Sequence, residues 1–397
     1  MSRHVLVLNA GSSSLKYRLV EVDGGDAPAF GLVDRIGEPG SAIRHAGPSG
    51  ETWDTVTVDD HEDALRAVLK AFDRHGPALA DVGLVAIGHR VVHGGDRFAE
   101  PVVIDDSLEA AIEDLVPLAP LHNPGNLEGI RVARKVFTDL PQVAVFDTAF
   151  HQSLPARAYT YAVPRDWEKE HGVRRYGFHG TSHSYVSREA ARHLDRDPAE
   201  LNVIVLHLGN GASATAVQGG RSVDTSMGLT PLQGLVMGTR CGDLDPAVPA
   251  HLARTAGLDL SEIDTALNRR SGLLGLTGAG DVRRVVEMRQ DGDEAADLAL
   301  AVYCYRVRWY VGAYLAVLGR VDAIAFTAGV GENSALVRAR SLEGLDALGI
   351  SVDARRNEAE GPDARRISPD GAAVDVLVVP TNEELEIARQ AVGLVVD

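Results

Sequence analysis

Three short polar turns, each placed at the end of an apolar run, have the size to hold a phosphate. Asn9-Ala10-Gly11-Ser12-Ser13-Ser14 follows Val5 to Leu8, and Lys16 adds a point charge two residues further on. His207-Leu208-Gly209-Asn210-Gly211 follows Val203 to Leu206. Gly329-Val330-Gly331-Glu332-Asn333 follows Ala323 to Thr327 and opens a helix, whose N-terminus favours an anion. Such turns offer backbone N–H groups to an anion with no side chain in the way, and the first adds the Ser12 and Ser14 hydroxyls. Any one of them alone reads equally as a hairpin turn. Isolated cations stand in glycine-rich or apolar settings: Arg90 in Gly-His-Arg-Val-Val-His-Gly-Gly, Arg240 in Met-Gly-Thr-Arg-Cys-Gly-Asp, His179 in Tyr-Gly-Phe-His-Gly-Thr-Ser-His, and His122 in Leu-His-Asn-Pro. Singly, each suits a structural ion pair or a core histidine. Together they suit phosphoryl transfer, in which fixed Arg and His donors stabilise charge spread over the equatorial oxygens. Asp147 in Val-Phe-Asp-Thr-Ala-Phe-His, and Glu383 and Glu384 after Pro380-Thr381-Asn382, are hard oxygen ligands of the kind that serve magnesium on nucleotide phosphates. Asp147 is equally readable as a strand cap.

Other chemistries are absent from the pattern. No GxxxxGK[ST] loop, HExxH or GxSxG occurs, and the glycines from Gly272 to Gly280 do not follow a predicted strand as a dinucleotide motif would require. The chain of 397 residues is 45% hydrophobic and 24% charged, an ordinary globular balance long enough for a full core. Its 39 basic against 56 acidic residues give a net charge of −17, with no basic block, which argues against nucleic acid or an anionic membrane as partner. Two distant cysteines, Cys241 and Cys304, indicate neither a zinc site nor a disulfide framework and fit a reducing cytoplasm. The apolar run at Met1 to Leu8 is too short for a signal-peptide core. The stretch Ala295 to Leu318, broken by Asp297, Arg306 and Arg308, reads as a core helix, or less readily an interface helix, rather than a membrane span.

The elements that must position these groups alternate between strand and helix. Runs at Val5–Leu8, Leu15–Val22, Val82–Ile87, Gln142–Phe146, Val203–Leu206, Thr215–Val217, Ala323–Thr327 and Val374–Val379 read as strands. Asp106–Leu115, Asn126–Phe137, His183–His193, Pro246–Ala256 and Glu383–Gly393 read as helices, and Gly37–Asp59 as an exposed loop or hairpin. This places Arg90 after its strand. The alternation argues for an α/β architecture with covered sheets. The strand-turn-strand pattern at Asn9 returns at His207, half a chain later, which suggests duplication of a whole domain, although two unrelated hairpins would give the same pattern.

The segments Asn9–Lys16, Gly88–Gly95, Val145–His151, Gly177–His183, His207–Gly211, Met237–Asp245, Gly329–Asn333 and Pro380–Glu384 together resemble the acetate kinase (acetokinase) family, over the whole chain. The resemblance implies two duplicated actin-like (ribonuclease H-like) α/β domains with nucleotide in the cleft between them. The boundaries expected are 1–150 plus about 382–397 for the N-terminal domain, and 151–381 for a C-terminal domain carrying most of the ATP site. It implies reversible transfer of the ATP γ-phosphoryl to acetate, with Mg2+ (Mn2+ as substitute) and ATP/ADP as co-substrate, in a homodimer; the lack of an isolated nucleophile near the cations argues for direct in-line transfer without a phosphoenzyme. By residue, it assigns magnesium to Asn9 and Glu383, and the phosphates to Ser12, Ser14 and Lys16. Asp147 becomes the catalytic acid, Arg90 the acetate carboxylate's partner, and His179 and Arg240 the stabilisers of the transferring group. His207, Leu208, Gly209, Asn210, Gly211, Asp281, Val282, Arg283 and Gly329, Val330, Gly331, Glu332, Asn333 would bind ATP. Val92, Leu121, Phe178 and Pro231 would line the methyl pocket, with His122 among the substrate-binding residues.

The chain departs from the family pattern at Ser184, where lysine is usual, and at Cys241, where serine is common; Cys241 beside Arg240 raises the expectation of thiol-reagent sensitivity. Acetate is ionised at neutral pH and needs no base, so Asp147 is better argued as an orienting group than as a proton acceptor. The alternatives are a propionate or butyrate kinase, since one methylene is worth only about 1–3 kcal/mol, and an actin-like or chaperone-like ATP-driven switch. A sugar kinase fits less well, because the pocket candidates are apolar.

Overall fold

The computed structural model describes residues 2–395. The chain divides into two compact units, Met1–Gln152 with Asn382–Asp397, and Ser153–Thr381. The first holds strands β1 His4–Ala10, β2 Ser14–Glu21, β3 Ala29–Asp34, β4 Ala42–Gly47, β5 Gly50–Thr55, β6 Leu84–Val91, β7 Val102–Val103 and β8 Gln142–Phe146, in the order β5-β4-β3-β2-β1-β6-β8-β7. The second holds β9 Asn202–Leu208, β10 Ala212–Gln218, β11 Arg221–Thr225, β12 Ala323–Thr327, β13 Arg365–Arg366 and β14 Asp375–Val378, in the order β11-β10-β9-β12-β14-β13.

The two sheets repeat one design. In each, the leading strand pairs antiparallel with the next, which pairs antiparallel with a third; on its other side it pairs parallel with a fourth, which pairs parallel with a fifth. A short antiparallel strand borders the fifth in both. The topology therefore repeats over the half-chain period first visible in two glycine turns.

Burial explains why the central strands are mostly apolar. β8, β9 and β12 are buried at every residue, as expected for strands covered by helices on both faces. In the first unit the helices Asn123–Val136 and Glu383–Val395 pack on β1 and β6. In the second, Gly180–His193 packs on β9 and β12, and Glu294–Leu318 on β9 and β10. The helix His61–His75 buries His61, Ala64, Leu65, Val68, Ala71 and Phe72, a stripe at helical spacing, and is capped where Asp60 accepts from the Asp63 N–H.

Two local readings change, and one open alternative is decided. β6 runs through Val91, so Arg90 lies within the strand rather than after it, because β1 and β8 flank β6 and its ladder with β8 continues through Gly88-His89-Arg90. Gly37–Asp59 resolves into the hairpin β4–β5. Residues Ala328–Asn333 are themselves a six-residue helix, followed by a second at Ala335–Leu342. The long helix Glu294–Leu318 is two-sided. Ala299, Tyr303, Val307, Val311 and Tyr314 are buried, while Leu298, Tyr305, Trp309 and Val317 are about half or more exposed. No helix among the described residues is long and apolar enough to cross a membrane.

Candidate active site

In the first unit the polar groups gather at the ends of β1, β6 and β8. Asn9 pairs with Lys16 across β1–β2, and the turn between them closes with Gly11 N–H donating to the Ser14 carbonyl at 2.7 Å. Ser12 and Ser14 lie in and beside this turn. Gly125 approaches so closely that a Cβ there would stand 2.7 Å from the Gly11 carbonyl. Asn126 donates to the Ala10 carbonyl at 2.6 Å and accepts from the Val92 N–H at 3.0 Å, tying the Asn9 turn to the end of β6. Asn123 does the same for His93, accepting at 3.2 Å and donating at 3.1 Å. Leu121 and His122 immediately precede this helix, and Leu121 is half exposed.

Arg90 is the centre of this half. Its Nε and Nη2 donate to the two carboxylate oxygens of Asp147 at 2.9 and 2.6 Å, and Glu383 Oε2 lies 3.9 Å from Nε. Asp147 ends β8, and its N–H donates to the Val91 carbonyl at 2.9 Å. Burial alone would lower the Arg90 pKa, but the facing charges of Asp147, Glu383 and Glu384 outweigh it and raise it. The Glu383 carboxyl is raised to about 7: burial is the largest cause, Arg90 and Lys16 pull against it, and Asp147 and Glu384 add to it. Buried Asp147 and partly exposed Glu383 thus both face the Arg90 guanidinium. Among the described residues no three or more His, Cys, Asp or Glu side chains are grouped so as to hold a metal ion by themselves. A cation here would thus take few protein oxygens, which suits magnesium carrying waters and phosphate ligands.

In the second unit, segments far apart in sequence line one cavity of about 710 Å3. Gly209 and Asn210 come from the end of β9, Asp281, Val282 and Arg283 from the start of the helix Val282–Gln290, and Gly329, Val330 and Asn333 from the helix after β12. This volume is that of a small-molecule site. His207, Leu208, Gly211, Gly331 and Glu332 are outside its lining. Leu208 is core, and the Glu332 carboxylate accepts from the Ala328 and Thr381 N–H groups at 2.8 and 3.0 Å, so it braces the loop. Asp281 caps its helix by accepting from Arg283 N–H at 2.8 Å and pairs with the Arg283 side chain. Gly238, Val286, Glu287, Gln290 and Ser334 also line the cavity and were not singled out from sequence. Arg283, Val286, Glu287 and Gln290 recur at the spacing of one helical face, a signal the sequence did carry.

His179 and Arg240 converge beside this cavity. A Cβ on Gly211 would lie 3.4 Å from His179 Nε2 and 3.8 Å from Arg240 Nη1. Among the described residues no carboxylate pairs with Arg240; its Nη1 donates to the Pro231 carbonyl at 3.0 Å, and burial lowers its pKa. Its loop docks on the helix Gly272–Thr277. The Met237, Gly238 and Thr239 carbonyls accept from the N–H groups of Leu273, Leu274 and Ser271 at 3.0, 2.9 and 3.0 Å. Gly272 has φ +61°, and a Cβ there would stand 2.2 Å from the Met237 carbonyl oxygen. His179 itself has φ +57°, and Ala328, at the entry to the cavity helix, has φ +64°. Backbone strain outside glycine is characteristic of functional positions. Phe178, next to His179, is buried. The Cys241 thiol is raised by burial rather than lowered by its neighbour Arg240, which works against heightened reactivity. Ser184 accepts from Arg188 at 2.8 Å within its own helix.

Two sheets of one repeated topology make this a duplicated α/β protein, with a glycine-lined cavity and a converging histidine and arginine in its second unit. Residues 4–389 match the model of the acetokinase family. The chain is 60% identical over 390 residues to the acetate kinase of Clavibacter michiganensis, covering 98% of each. The structure matches the crystal structure of Porphyromonas gingivalis acetate kinase with a TM-score of 0.94 and 42% identity, over 99% of both chains. It also matches a propionate kinase from Francisella tularensis with a TM-score of 0.93 and 40% identity, over 99% of this chain and 100% of that one. The chain belongs to the acetokinase family.

Proposed function

We propose that this protein transfers the γ-phosphoryl group of ATP to acetate, reversibly and by direct in-line displacement. The observation that carries this reading is Arg240, a partly buried guanidinium with no carboxylate partner among the described residues, beside His179 Nε2 and a nucleotide-sized cavity. A buried cation left unpaired is costly unless it serves an anion, and developing phosphoryl charge is such an anion. The adenine nucleotide is assigned to the 710 Å3 cavity of the second unit. Magnesium is assigned to Asn9 and Glu383, with Mn2+ as a substitute; when bound it would neutralise charge on the phosphates. Ser12, Ser14 and Lys16 are assigned to the phosphates.

Arg90 is assigned to the acetate carboxylate. A guanidinium has five N–H donors, and Asp147 takes two of them, one on Nε and one on Nη2. Asp147 thereby fixes the plane of the fork while leaving donors for acetate, which is an orienting role and requires no proton transfer. The apolar residues proposed for the methyl group remain Val92, Leu121, Phe178 and Pro231, with His122 nearby in sequence to Leu121. The propionate kinase relative keeps longer acids as the second reading. We also propose a cytoplasmic homodimer. The two unpaired cysteines support the location, and cell fractionation checks it. The exposed apolar stripe of the helix Glu294–Leu318 supports the dimer.

The stereochemical course tests direct transfer. ATP made chiral with oxygen isotopes at the γ-phosphorus is expected to give inverted acetyl phosphate; retention would require a phosphoenzyme and defeat the one-step reading.

A further inference from the structure

Two residues that the reaction does not itself employ, His183 and Ser213, form a hydrogen-bonded line behind His179. His179 precedes the helix Gly180–His193, and His183 lies one turn into it. Ser213 is on β10, directly across from His207 on β9. Ser213 and His183 are completely buried. Ser213 Oγ is 2.9 Å from His179 Nδ1 and 2.7 Å from His183 Nε2. The His179 ring also stacks on His207 with centroids 4.2 Å apart, and His207 Nδ1 is held by Ser182 Oγ at 2.8 Å. The plane of His179 is thus fixed from two directions.

A serine hydroxyl has one hydrogen, so it cannot donate to both rings. The possibilities divide by the state of His179. In the first, His183 Nε2–H donates to Ser213, and the Ser213 hydroxyl donates to His179 Nδ1. Neutral His179 then carries its proton on Nε2. In the second the line runs the other way, His179 holds its proton on Nδ1, and Nε2 presents a lone pair. In the third, His179 is an imidazolium that donates Nδ1–H to Ser213, and the Ser213 hydroxyl either donates to His183 Nε2 or, where His183 donates as well, loses both of these partners in a buried site, at a cost. The nitrogen that faces Gly211 and Arg240 is Nε2. A lone pair there would repel a phosphoryl oxygen, whereas an N–H would bind it.

We propose that His183, acting through Ser213, sets the tautomer of His179 so that neutral His179 presents Nε2–H to the transferring phosphoryl group. His183 and Ser213 are positioning residues, and the proposal rests on the phosphotransfer reading above only for what the Nε2–H does. No net proton is gained or lost along the line during transfer. The arrangement provides a donor that is present before the substrate arrives and needs no reorganisation in the transition state.

The test has two independent arms, both on the full-length protein. In the first, histidine ring nitrogens are labelled with 15N, and the His179 signals are assigned by their loss in His179→Asn. The expected pattern is a protonated Nε2 and an unprotonated Nδ1; a protonated Nδ1 overturns the proposal whatever the enzyme's activity. In the second arm, kcat and KM are measured for Ser213→Ala and His183→Leu. Each is expected to lower kcat by about 10- to 100-fold with KM for acetate changing by less than about threefold. Ser213→Thr, which restores the hydroxyl, and His183→Gln, which restores an N–H donor, are expected to recover most of kcat. Equal losses in the conservative and non-conservative variants, or an unchanged kcat in folded Ser213→Ala, would overturn the role in catalysis. Should the wild-type chain transfer no phosphoryl group, the functional reading fails, while the nitrogen spectra still decide the tautomer.

Discussion

Arg240 and Gly272 show how one side chain's position depends on the absence of another. Arg240 is held by its loop, and the loop is held by carbonyls docked on the first turn of the helix Gly272–Thr277. Gly272 meets two requirements at once, a left-handed φ of +61° and a 2.2 Å gap to the Met237 carbonyl oxygen that no Cβ could share. Gly272→Ala must therefore shift the loop. The expected result is a folded enzyme with kcat down about 100-fold, as for other displacements of about 1 Å at reacting groups. Kinetics at saturating ATP and acetate, with a melting curve as the folding control, check this; an unchanged kcat would mean that Arg240 does not depend on the docked loop. The residues that sequence reading found at this scale, Arg240, His179, Arg90 and Asp147, were legible because charged groups in glycine-rich runs are chemically conspicuous. Gly272, Asn123 and Asn126 were not, because their importance lies in close approaches that only the fold creates.

At the scale of the element, β6 carries the acetate-binding candidate and also a pH-sensitive core histidine. His89 is buried beside Arg90, with Nε2 2.8 Å from Gln142 Oε1, and burial lowers its pKa to about 4 although the Gln142 bond pulls the other way. Its unfolded value is near 6.5. Between pH 6.5 and 4 the unfolded chain therefore binds the proton that the folded chain refuses. His89 contributes stability that is fully present above about pH 6.5 and is lost as pH falls, up to about 3 kcal/mol. Denaturant unfolding at intervals from pH 7.5 to 5 is expected to show falling stability, with a shallower fall in His89→Gln. The same slope in both proteins would contradict this origin. β6 also shows where element reading stops: the run Val82–Ile87 was visible as a strand, but its extension through Arg90 depends on pairing along β8. Strands buried throughout, such as β8, β9 and β12, were legible as apolar runs, whereas β3 and β11 are mixed in burial and pass for loop.

For the whole molecule, duplication was legible from two glycine turns because each marks the first hairpin of a repeated sheet. Assembly was less so, since the helix Glu294–Leu318 is apolar on both sides and only the fold separates its core face from its exposed one. Tyr305 and Trp309 lie on that exposed stripe. Replacing both, Tyr305→Asp with Trp309→Asp, is expected to convert the proposed dimer to a monomer in sedimentation equilibrium; a wild-type monomer would remove the dimer, and an unaltered dimer would place its contact elsewhere. The central claim is the transfer of phosphoryl from ATP to acetate, and trapping the product as a hydroxamate measures it most directly. MgATP would be offered with acetate, propionate, butyrate or glycerol in parallel, with chelator added to one acetate sample. The account predicts strong acyl phosphate formation from acetate, less with each added methylene, none from glycerol, and loss of signal with chelator. ATP hydrolysis that proceeds equally without any carboxylate, and yields no acyl phosphate from any acid, would contradict it.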